Sequence, residues 1–404
     1  MKKIATSVFA AGIAASSLMA ADAAITAVKV SGDLSKVSYA DAVWSKAKFS
    51  DVSLYPQTTI KLNDKNANEI NAADKAITAK IAAVYNSDNI AFLIKWPDAT
   101  MNIQHGVKTT SYGDGFAVQF AEDSSNPEAL PYIGMGSEGR EVVIHLQKAV
   151  RPFYEPNGNG DIAMQVNRNQ TDLFGKDLAK FDKEVAALGN YDYERSFVSQ
   201  GFRSMTEIKD GSNDSFSRLG YNKGDKGWEG TLSRSIADGY VDLNQGAIPV
   251  AFAVWDGEKL GRDGLKNLSQ WVSVKLEGNE GGDALIAALD ASAVKGDAAA
   301  GKQAVADNGC AGCHQIEKSD QESFMAPALY NIGGYATVGY LKESIIAPSA
   351  VVVPGYNRNA HSAYMWYTEE NGKRTSTMTD YSFLDAATID NMVAYLKTLK
   401  AEAK

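Results

Sequence analysis

Two cysteines and a histidine in the last quarter of the chain constrain its fold more than any other feature. They form the run Cys310-Ala311-Gly312-Cys313-His314, and no other cysteine occurs among the 404 residues. C-x-x-C-H is the signature of covalent haem attachment, because both thiols can form thioethers with the haem vinyl groups and the imidazole can ligate the iron. A zinc site needs four close ligands, and a thioredoxin-like pair does not need the histidine. The motif therefore predicts one haem c on Cys310 and Cys313, with His314 as an axial ligand.

The first 23 residues have the pattern of a secretory signal. Lys2 and Lys3 precede an apolar, small-residue stretch from Ile4 to Met19, and residues 20–24 offer cleavage sites of the A-x-A kind. This stretch is too short to span a bilayer comfortably, which favours a signal peptide over a membrane anchor. Bacteria attach haem to C-x-x-C-H outside the cytoplasmic membrane. We therefore expect a signal peptide over 1–23, a periplasmic location, and no transmembrane segment in the mature chain.

Charge and length narrow the classes of partner and the number of domains. Without Lys2 and Lys3, 38 basic residues face 49 acidic ones, so the mature net charge is near −11 if cleavage follows Ala20. An acidic surface disfavours nucleic acid and anionic membranes as partners and allows steering toward a basic redox protein. About 380 mature residues are too many for one small haem domain, and we expect two domains.

Residues 296–404 are organised as a small helical domain around the haem motif. A helical stretch after Gly296 leads to Cys310, and Asp385 is a plausible N-cap for the last helix. In that helix Ile389, Met392, Val393 and Leu396 recur at helical spacing and predict a buried face. The segment resembles the class I cytochrome c fold.

That resemblance places the second axial ligand of haem c on Met378. Met378 lies in a polar loop just before the last helix, where class I cytochromes keep their distal methionine, although Thr379 replaces the proline that often follows. Met325-Ala326-Pro327 resembles the loop on the histidine side, and Met392 is better explained as core. Met365 and His361 remain alternatives. A His/Met pair tends to raise the haem potential.

The pattern of residues 24–278 predicts a mainly antiparallel β-sandwich. Residues 279–295 contain glycines and are predicted to form a linker. Ile77–Tyr85 and Ile90–Trp96 flank an Asn- and Asp-rich turn and form a predicted hairpin, with a helix over Ile77–Tyr85 as the alternative. Further short strand-like runs are Gly115–Phe120, Val142–Gln147 and Val250–Trp255.

Four stretches of this first domain carry a second resemblance. They are the run from Trp44 to Gln57, Trp96-Pro97-Asp98, the run from Pro131 to Gly136, and Phe252 to Gly257 with Lys266 and Trp271 beyond. Together they resemble the haem b subunit of ethylbenzene dehydrogenase and related molybdenum enzymes. That family is a β-sandwich that holds one non-covalent haem b between a methionine and a lysine.

Carried onto this chain, the resemblance implies Met135 and Lys266 as the two ligands of haem b iron. A thioether is a soft, neutral ligand, and a lysine amine ligates only when deprotonated, which burial favours. Met101 is the rival methionine, and His105 and His145 are rival nitrogen ligands.

Two haems without a recognisable catalytic motif predict electron transfer rather than catalysis. We expect a dihaem carrier that passes electrons between haem b and haem c, as the electron-transfer subunit or the partner of a molybdoenzyme. Two alternatives remain open. The first domain could be a haem-free sandwich of the carbohydrate-binding kind, with Trp44, Trp96 and Trp255 available for sugars, or one haem could act on a small molecule.

Overall fold

A large β-sheet occupies the first two thirds of the described chain. The computed structural model describes residues 24–104, 112–150, 193–209, 214–360 and 363–404. The predicted signal peptide, His105 and His361 therefore lie outside the described residues. The strands of this sheet are β1 (Ile25–Lys29), β2 (Ser50–Pro56), β3 (Ile77–Tyr85), β4 (Asn89–Pro97), β5 (Gly115–Ala121), β6 (Val142–Lys148), β7 (Tyr193–Ser199), β8 (Met205–Ile208), β9 (Phe216–Asn222), β10 (Gly227–Ser235), β11 (Ala247–Trp255), β12 (Asn267–Leu268) and β13 (Val272–Leu276).

The strand order is β8-β7-β6-β5-β11-β12-β2-β3-β4-β10-β9, and β11 also pairs with β13. All these pairings are antiparallel, whereas β1 runs parallel to both β13 and β3. The sheet folds into two layers that pack face to face. Phe92 on β4 contacts Phe120 on β5 and Phe252 on β11, with ring centroids 5.9 and 6.0 Å apart.

The predicted hairpin and the other predicted strands are confirmed. Lys80 to Tyr85 pair with Ile90 to Lys95 in antiparallel register, so the helical alternative over Ile77–Tyr85 is wrong. Tertiary context decides this point, because β3 is buried along most of its length and pairs with β1, β2 and β4.

Strands β5 and β11 are mainly apolar on both faces, and β6 is mainly apolar on its outer face. Phe120 and Phe252 point into the sandwich, whereas Ala117, Ile144 and Ala251 belong to a second apolar cluster on the outer face. Strands covered on both sides carry near-continuous apolar runs. The outer face therefore offers a second packing surface, and residues of the C-terminal domain complete its cluster.

The C-terminal region is mainly helical. In the described part of the first domain, α1 (Lys65–Ala73) is the α-helix. The described helices of the C-terminal region are α2 (Asp283–Leu289), α3 (Ala298–Asp307), α4 (Ile332–Tyr335), α5 (Val338–Ile346) and α6 (Ala386–Thr398). The Asp385 carboxylate caps α6 by accepting from the backbone N–H groups of Ala387 and Thr388. Gly301 on α3 lies so close to Asn391 on α6 that an added Cβ would meet the Asn391 carbonyl oxygen at 1.8 Å.

The predicted fold class, a mainly antiparallel sandwich followed by a helical domain, is confirmed. One addition is a two-stranded hairpin of β14 (Tyr367–Glu370) and β15 (Lys373–Ser376) within the helical region. Its turn is Asn371-Gly372, and both residues have positive φ, of 52° and 78°. Asn-Gly is the strongest short hairpin signal, so the sequence already contained this information. None of the helices in the described part of the chain is long and apolar enough to cross a membrane.

Candidate haem sites

A cavity of about 580 Å³ lies on the outer face of the sheet. Its floor is formed by alternating residues of β5, β6 and β11, such as Ala117, Ile144 and Ala251, and most of its lining is apolar. This volume is in the range of sites for cofactors and drug-sized ligands. Both predicted haem b ligands, Met135 and Lys266, line it.

Met135 reaches the cavity from the turn that follows Tyr132. The Gly136 N–H donates to the Tyr132 carbonyl oxygen at 2.8 Å, which closes this turn. Met135 has φ of 81°, a left-handed conformation that is costly for a bulky side chain. Such backbone strain clusters at ligand sites, where the surrounding structure holds it in place.

Lys266 enters from the loop between β11 and β12 and is only 6% exposed. Its Nζ lies 5.7 Å from the Trp255 ring centroid and 3.5 Å from the Asp263 carbonyl oxygen. Burial lowers the pKa of Lys266 to about 8, opposed by Asp263 and reinforced by Lys148. The neutral fraction of its amine is therefore larger at neutral pH than that of an exposed lysine, and the neutral amine is the form that ligates iron.

The structure adds two residues of the same chemical types that sequence reasoning missed. Lys148 lines the cavity with its Nζ 5.0 Å from the Trp255 ring centroid, and burial lowers its pKa to about 8. Met205 also lines the cavity, but 47% of its surface is exposed to solvent. Lys148 could have been found from strand alternation, because it lies on the same face of β6 as Ile144 and Leu146.

Two of the three earlier rivals of Met135 and Lys266, Met101 and His145, lie outside this cavity. Met101 is 38% exposed and does not line the cavity. His145 alternates with the cavity-facing residues of β6 and points into the sandwich, where its Nδ1 is 2.8 Å from Ser196 Oγ and its Nε2 is 3.2 Å from Arg234. His105 is outside the described residues.

The donor set of this cavity fits a haem b. A flat apolar macrocycle suits the apolar lining, and Met135 with Lys266 or Lys148 would supply a thioether and an amine. Arg203 and Arg262 also line the cavity and offer guanidinium groups suited to carboxylates such as haem propionates.

A second cavity, of about 250 Å³, surrounds the C-x-x-C-H motif. Cys310 begins a short 3-10 turn, and the His314 N–H donates to the Cys310 carbonyl oxygen at 3.0 Å. The motif residues Cys310, Cys313 and His314 all line this cavity, as does Met378. Both thiols are unpaired, as thioether formation requires.

His314 is oriented by the chain that follows it. Its Nδ1 is 2.7 Å from the Pro327 carbonyl oxygen, a geometry that uses Nδ1 as the donor and leaves Nε2 for iron. Burial keeps the pKa of His314 below its ordinary value, partly opposed by Pro327, so the ring is neutral and able to ligate.

The candidate methionines for the sixth position differ in placement. Met378 is half-buried, and its N–H donates to Ser376 Oγ at 3.1 Å, which anchors its loop. Met325 also lines the cavity, but it comes just before Pro327, on the histidine side. Met365 is 45% exposed and does not line the cavity, and Met392 is 1% exposed in the core, as expected. His361 is outside the described residues.

One short segment of the first domain touches both cavities. Met135 lines the larger cavity, and Tyr132, three residues earlier, lines the smaller one. The Tyr132 ring packs against Tyr340 and Tyr356, with centroids 4.8 and 5.9 Å apart, and its hydroxyl is 2.9 Å from Thr59 Oγ1. The turn 131–136 therefore contributes residues to both candidate haem sites.

Charged and backbone contacts hold the domains together around this turn. Arg140 makes two hydrogen bonds to Glu343 at 2.6 and 2.7 Å, and the Glu138 N–H donates to the Val352 carbonyl oxygen at 2.9 Å. Gly201 packs on Pro354, so the segment next to Phe202 of the larger cavity also contacts the helical domain.

Comparison with solved structures found distant similarity to carbohydrate-binding proteins. Two carbohydrate-binding modules of family 9 from Caldicellulosiruptor kristjanssonii, solved with cellotriose and with glucose, are 8% and 9% identical with TM-scores of 0.30. They cover 63% of this chain and 94% and 96% of their own. A Bacteroides uniformis protein described as carbohydrate-binding is 9% identical, with a TM-score of 0.31 over 63% of this chain and 100% of its own. No curated protein matched the sequence.

Family models account for both parts of the chain. The cytochrome c model matches residues 298–400, which include the C-x-x-C-H motif and Met378. The ethylbenzene dehydrogenase model matches residues 41–267, which include Met135 and Lys266 and make up more than half of the chain. The chain therefore belongs to the ethylbenzene dehydrogenase family, and a cytochrome c domain follows the part that matches this family.

Proposed function

We propose that the protein is a periplasmic electron carrier that passes electrons between one haem b and one covalently bound haem c. Met135 and Lys266 would hold the haem b, and Cys310, Cys313, His314 and Met378 the haem c. The observation that carries this proposal is the turn 131–136, because Met135 lines one cavity and Tyr132 the other.

The chain's own residues would organise the transfer in three ways. If Met135 and Lys266 held one iron and His314 and Met378 the other, neither iron would have a coordination position open to oxygen or substrate. The apolar linings exclude water, which limits the reorganisation that accompanies a change of charge. The turn 131–136, whose Tyr132 ring packs against Tyr340 and Tyr356, would hold the two cavities in one arrangement, so the fold would set the distance between donor and acceptor.

The family supplies a partner class. Ethylbenzene dehydrogenase is a molybdoenzyme, and a haem b subunit of this kind relays its electrons. We propose that this chain accepts electrons from, or delivers them to, a molybdoenzyme, and that its acidic charge steers a basic partner. The fused haem c would then replace a separate soluble carrier.

A pyridine haemochrome spectrum of the purified protein, before and after acid-acetone extraction, tests the haem content. We expect one extractable b-type haem and one retained c-type haem per chain. If only a c-type haem is found, the haem b assignment is wrong. The protein would then be a cytochrome c joined to a β-sandwich domain that binds a different ligand.

The two alternative functions have weaker structural support. Trp44, Trp96 and Trp255 are between 3% and 7% exposed, so they do not form an open platform for sugars. Reaction of the reduced protein with carbon monoxide, or of the oxidised protein with peroxide, would favour a haem enzyme, because both require an open position at iron.

A further inference from the structure

We propose that Asp98, Asp114 and Asp256 bind one calcium ion at the end of the sandwich, independently of either haem. Asp98 follows β4, Asp114 precedes β5 and Asp256 follows β11. One carboxylate oxygen of each lies within 4.8 Å of those of the others. Among the described residues, this is the only group of three or more acidic, histidine or cysteine side chains with such spacing.

Asp98 provides an independent indication of a missing ligand. Its residue is only 7% exposed, and its Oδ2 has no hydrogen-bond partner within the described structure. Its other oxygen accepts from the N–H and the hydroxyl of Thr100, at 3.0 and 3.1 Å. Leaving a buried carboxylate oxygen unpaired is costly, and a cation beside Oδ2 would remove that cost.

Asp114 is held in a fixed orientation at the centre of this group. Its Oδ2 accepts from the Asn102 N–H at 2.7 Å and from Trp228 Nε1 at 3.0 Å, and its Oδ1 accepts from the Gly257 N–H at 2.6 Å. A carboxylate has about four lone-pair sites, so these three donors leave capacity for a metal. Asp114 is fully buried, and preorganised carboxylates of this kind suit metal sites.

Burial and their mutual proximity disfavour ionisation of these carboxylates, and a bound cation would favour it. Burial raises the pKa of Asp98 to about 6 and that of Asp114 to about 8, and in each case a neighbouring aspartate adds to the rise. Lys259 contacts Asp256 Oδ2 at 3.2 Å, but it is shared with Asp74, whose two oxygens lie 2.8 and 3.0 Å from its Nζ. Lys404 is the other nearby cation.

The donor set favours calcium over other ions. The carboxylates are hard oxygen ligands, and no histidine or cysteine belongs to the group, which argues against zinc and copper. Magnesium requires near-octahedral geometry and keeps several waters, whereas calcium accepts irregular sets of oxygens. The three carboxylates come from separate strand ends, and two of them are buried. Such an irregular set of oxygens suits calcium better than magnesium.

The site would also brace the loop that carries Lys266. The Asp256 carbonyl oxygen accepts from the Gly261 N–H at 2.9 Å, and its Oδ1 accepts from the Lys259 N–H at 3.2 Å. Both bonds shape the start of the loop from β11 to Lys266. Bound calcium would therefore stabilise this loop, whatever ligand occupies the neighbouring cavity.

Calorimetric titration of calcium into the full-length, EGTA-treated protein tests the proposal. We expect one calcium per chain, a higher Tm with calcium than with EGTA, and weaker binding of magnesium. Asp98→Asn should reduce calcium affinity roughly tenfold or more, because affinity follows the number of ligand charges. Asp283→Asn changes an aspartate whose side chain is 91% exposed, outside the group, and should bind calcium like the wild type.

The thermal unfolding measurements should show a sign change that a merely structural role of Asp98 would not produce. In EGTA, Asp98→Asn should unfold at a higher temperature than the wild type, because it relieves like-charge repulsion. In calcium the order should reverse. The proposal is overturned if the wild-type Tm is the same in calcium and EGTA, if magnesium binds as tightly as calcium, or if Asp98→Asn and Asp256→Asn bind calcium like the wild type. Far-UV circular dichroism and the haem c absorbance confirm that each variant is folded.

Discussion

Met135 and Lys266 are unusual as individual residues. A methionine with φ of 81° and a lysine that is 6% exposed would each be an unfavourable choice in a protein without a ligand. Both features are explained if the two side chains meet a metal in the cavity they line. The same cavity contains Lys148 and Met205, so substitutions must distinguish between residues of one chemical type.

Met135→Ala and Lys266→Ala should each remove the extractable b-type haem, because each takes away one axial ligand. Met101→Ala should leave it intact, since Met101 does not line the cavity. Lys148→Ala and Met205→Ala are the matched controls inside the cavity, and we expect both to retain haem b. The ratio of b-type to c-type haem in a pyridine haemochrome spectrum measures the outcome. Loss of haem b only in Lys148→Ala would move the nitrogen ligand to β6.

His145 gives a pH prediction. Burial, and then the Arg234 charge, hold its pKa well below the ordinary value, so the folded protein keeps this ring neutral. The unfolded chain takes up a proton near pH 6.5, and stability is therefore lost as the pH falls below that value. The slope from this group approaches about 1.4 kcal/mol per pH unit.

Chemical unfolding of the wild type and of His145→Gln between pH 7 and pH 5 measures this slope. We expect a shallower decline in the variant, whatever its stability at pH 7. If the free energy of unfolding declines equally steeply in the wild type and in His145→Gln, groups other than His145 cause the loss of stability at low pH.

At the scale of elements, the crossing of α3 and α6 depends on one glycine. A Cβ on Gly301 would meet the Asn391 carbonyl oxygen at 1.8 Å, and neither helix backbone can yield cheaply. Such a contact holds the first and last helices of the haem c domain together. The sequence predicted Asp385 as the cap of α6, whereas the structure adds Asp297 as the cap of α3 and shows this close approach.

Gly301→Ala should destabilise the C-terminal domain by about 1–3 kcal/mol, the usual cost of overpacking. The gain in helix propensity, about 1 kcal/mol, offsets part of the strain. Gly239→Ala is the control, because no heavy atom lies within 4 Å of its added Cβ. Denaturant unfolding followed at the haem c absorbance band reports the change. A Gly301→Ala protein as stable as the control would mean that the helices move apart freely.

At the scale of the whole molecule, the two domains share one apolar cluster. It includes Ala251 of the sheet and Tyr335, Ile345 and Met392 of the helical domain, all buried. The ion pair of Arg140 with Glu343 lies at its border, with side chains 23% and 21% exposed. The interface therefore contributes both apolar area and directional contacts to the relative position of the cavities.

A double-mutant cycle of Arg140→Ala and Glu343→Ala should give a coupling free energy of about 1–3 kcal/mol, since the pair is bidentate and partly buried. The same variants should slow electron transfer between the haems, measured by flash reduction, while both haem spectra stay unchanged. A coupling free energy near zero would show that the apolar cluster alone sets the domain arrangement.

The sequence by itself determined the parts whose chemistry depends on neighbours along the chain. The C-x-x-C-H motif, the Asp385 cap, the β3–β4 hairpin and the helical face of α6 all follow from local spacing, and residues 41–267 and 298–400 match the expected families. The ligand roles of Met135, Lys266 and Met378 stay predictions that the substitutions above test.

Only the tertiary structure decided which distant residues meet. It excluded Met101 and His145 from the larger cavity, added Lys148 to it, and brought Tyr132 into the lining of the smaller cavity. It also gathered Asp98, Asp114 and Asp256, which are separated by up to about 160 positions in the chain. The physical reason is the same in each case. A strand fixes the face of each side chain by alternation, but the neighbour across that face is set by how the layers and domains pack.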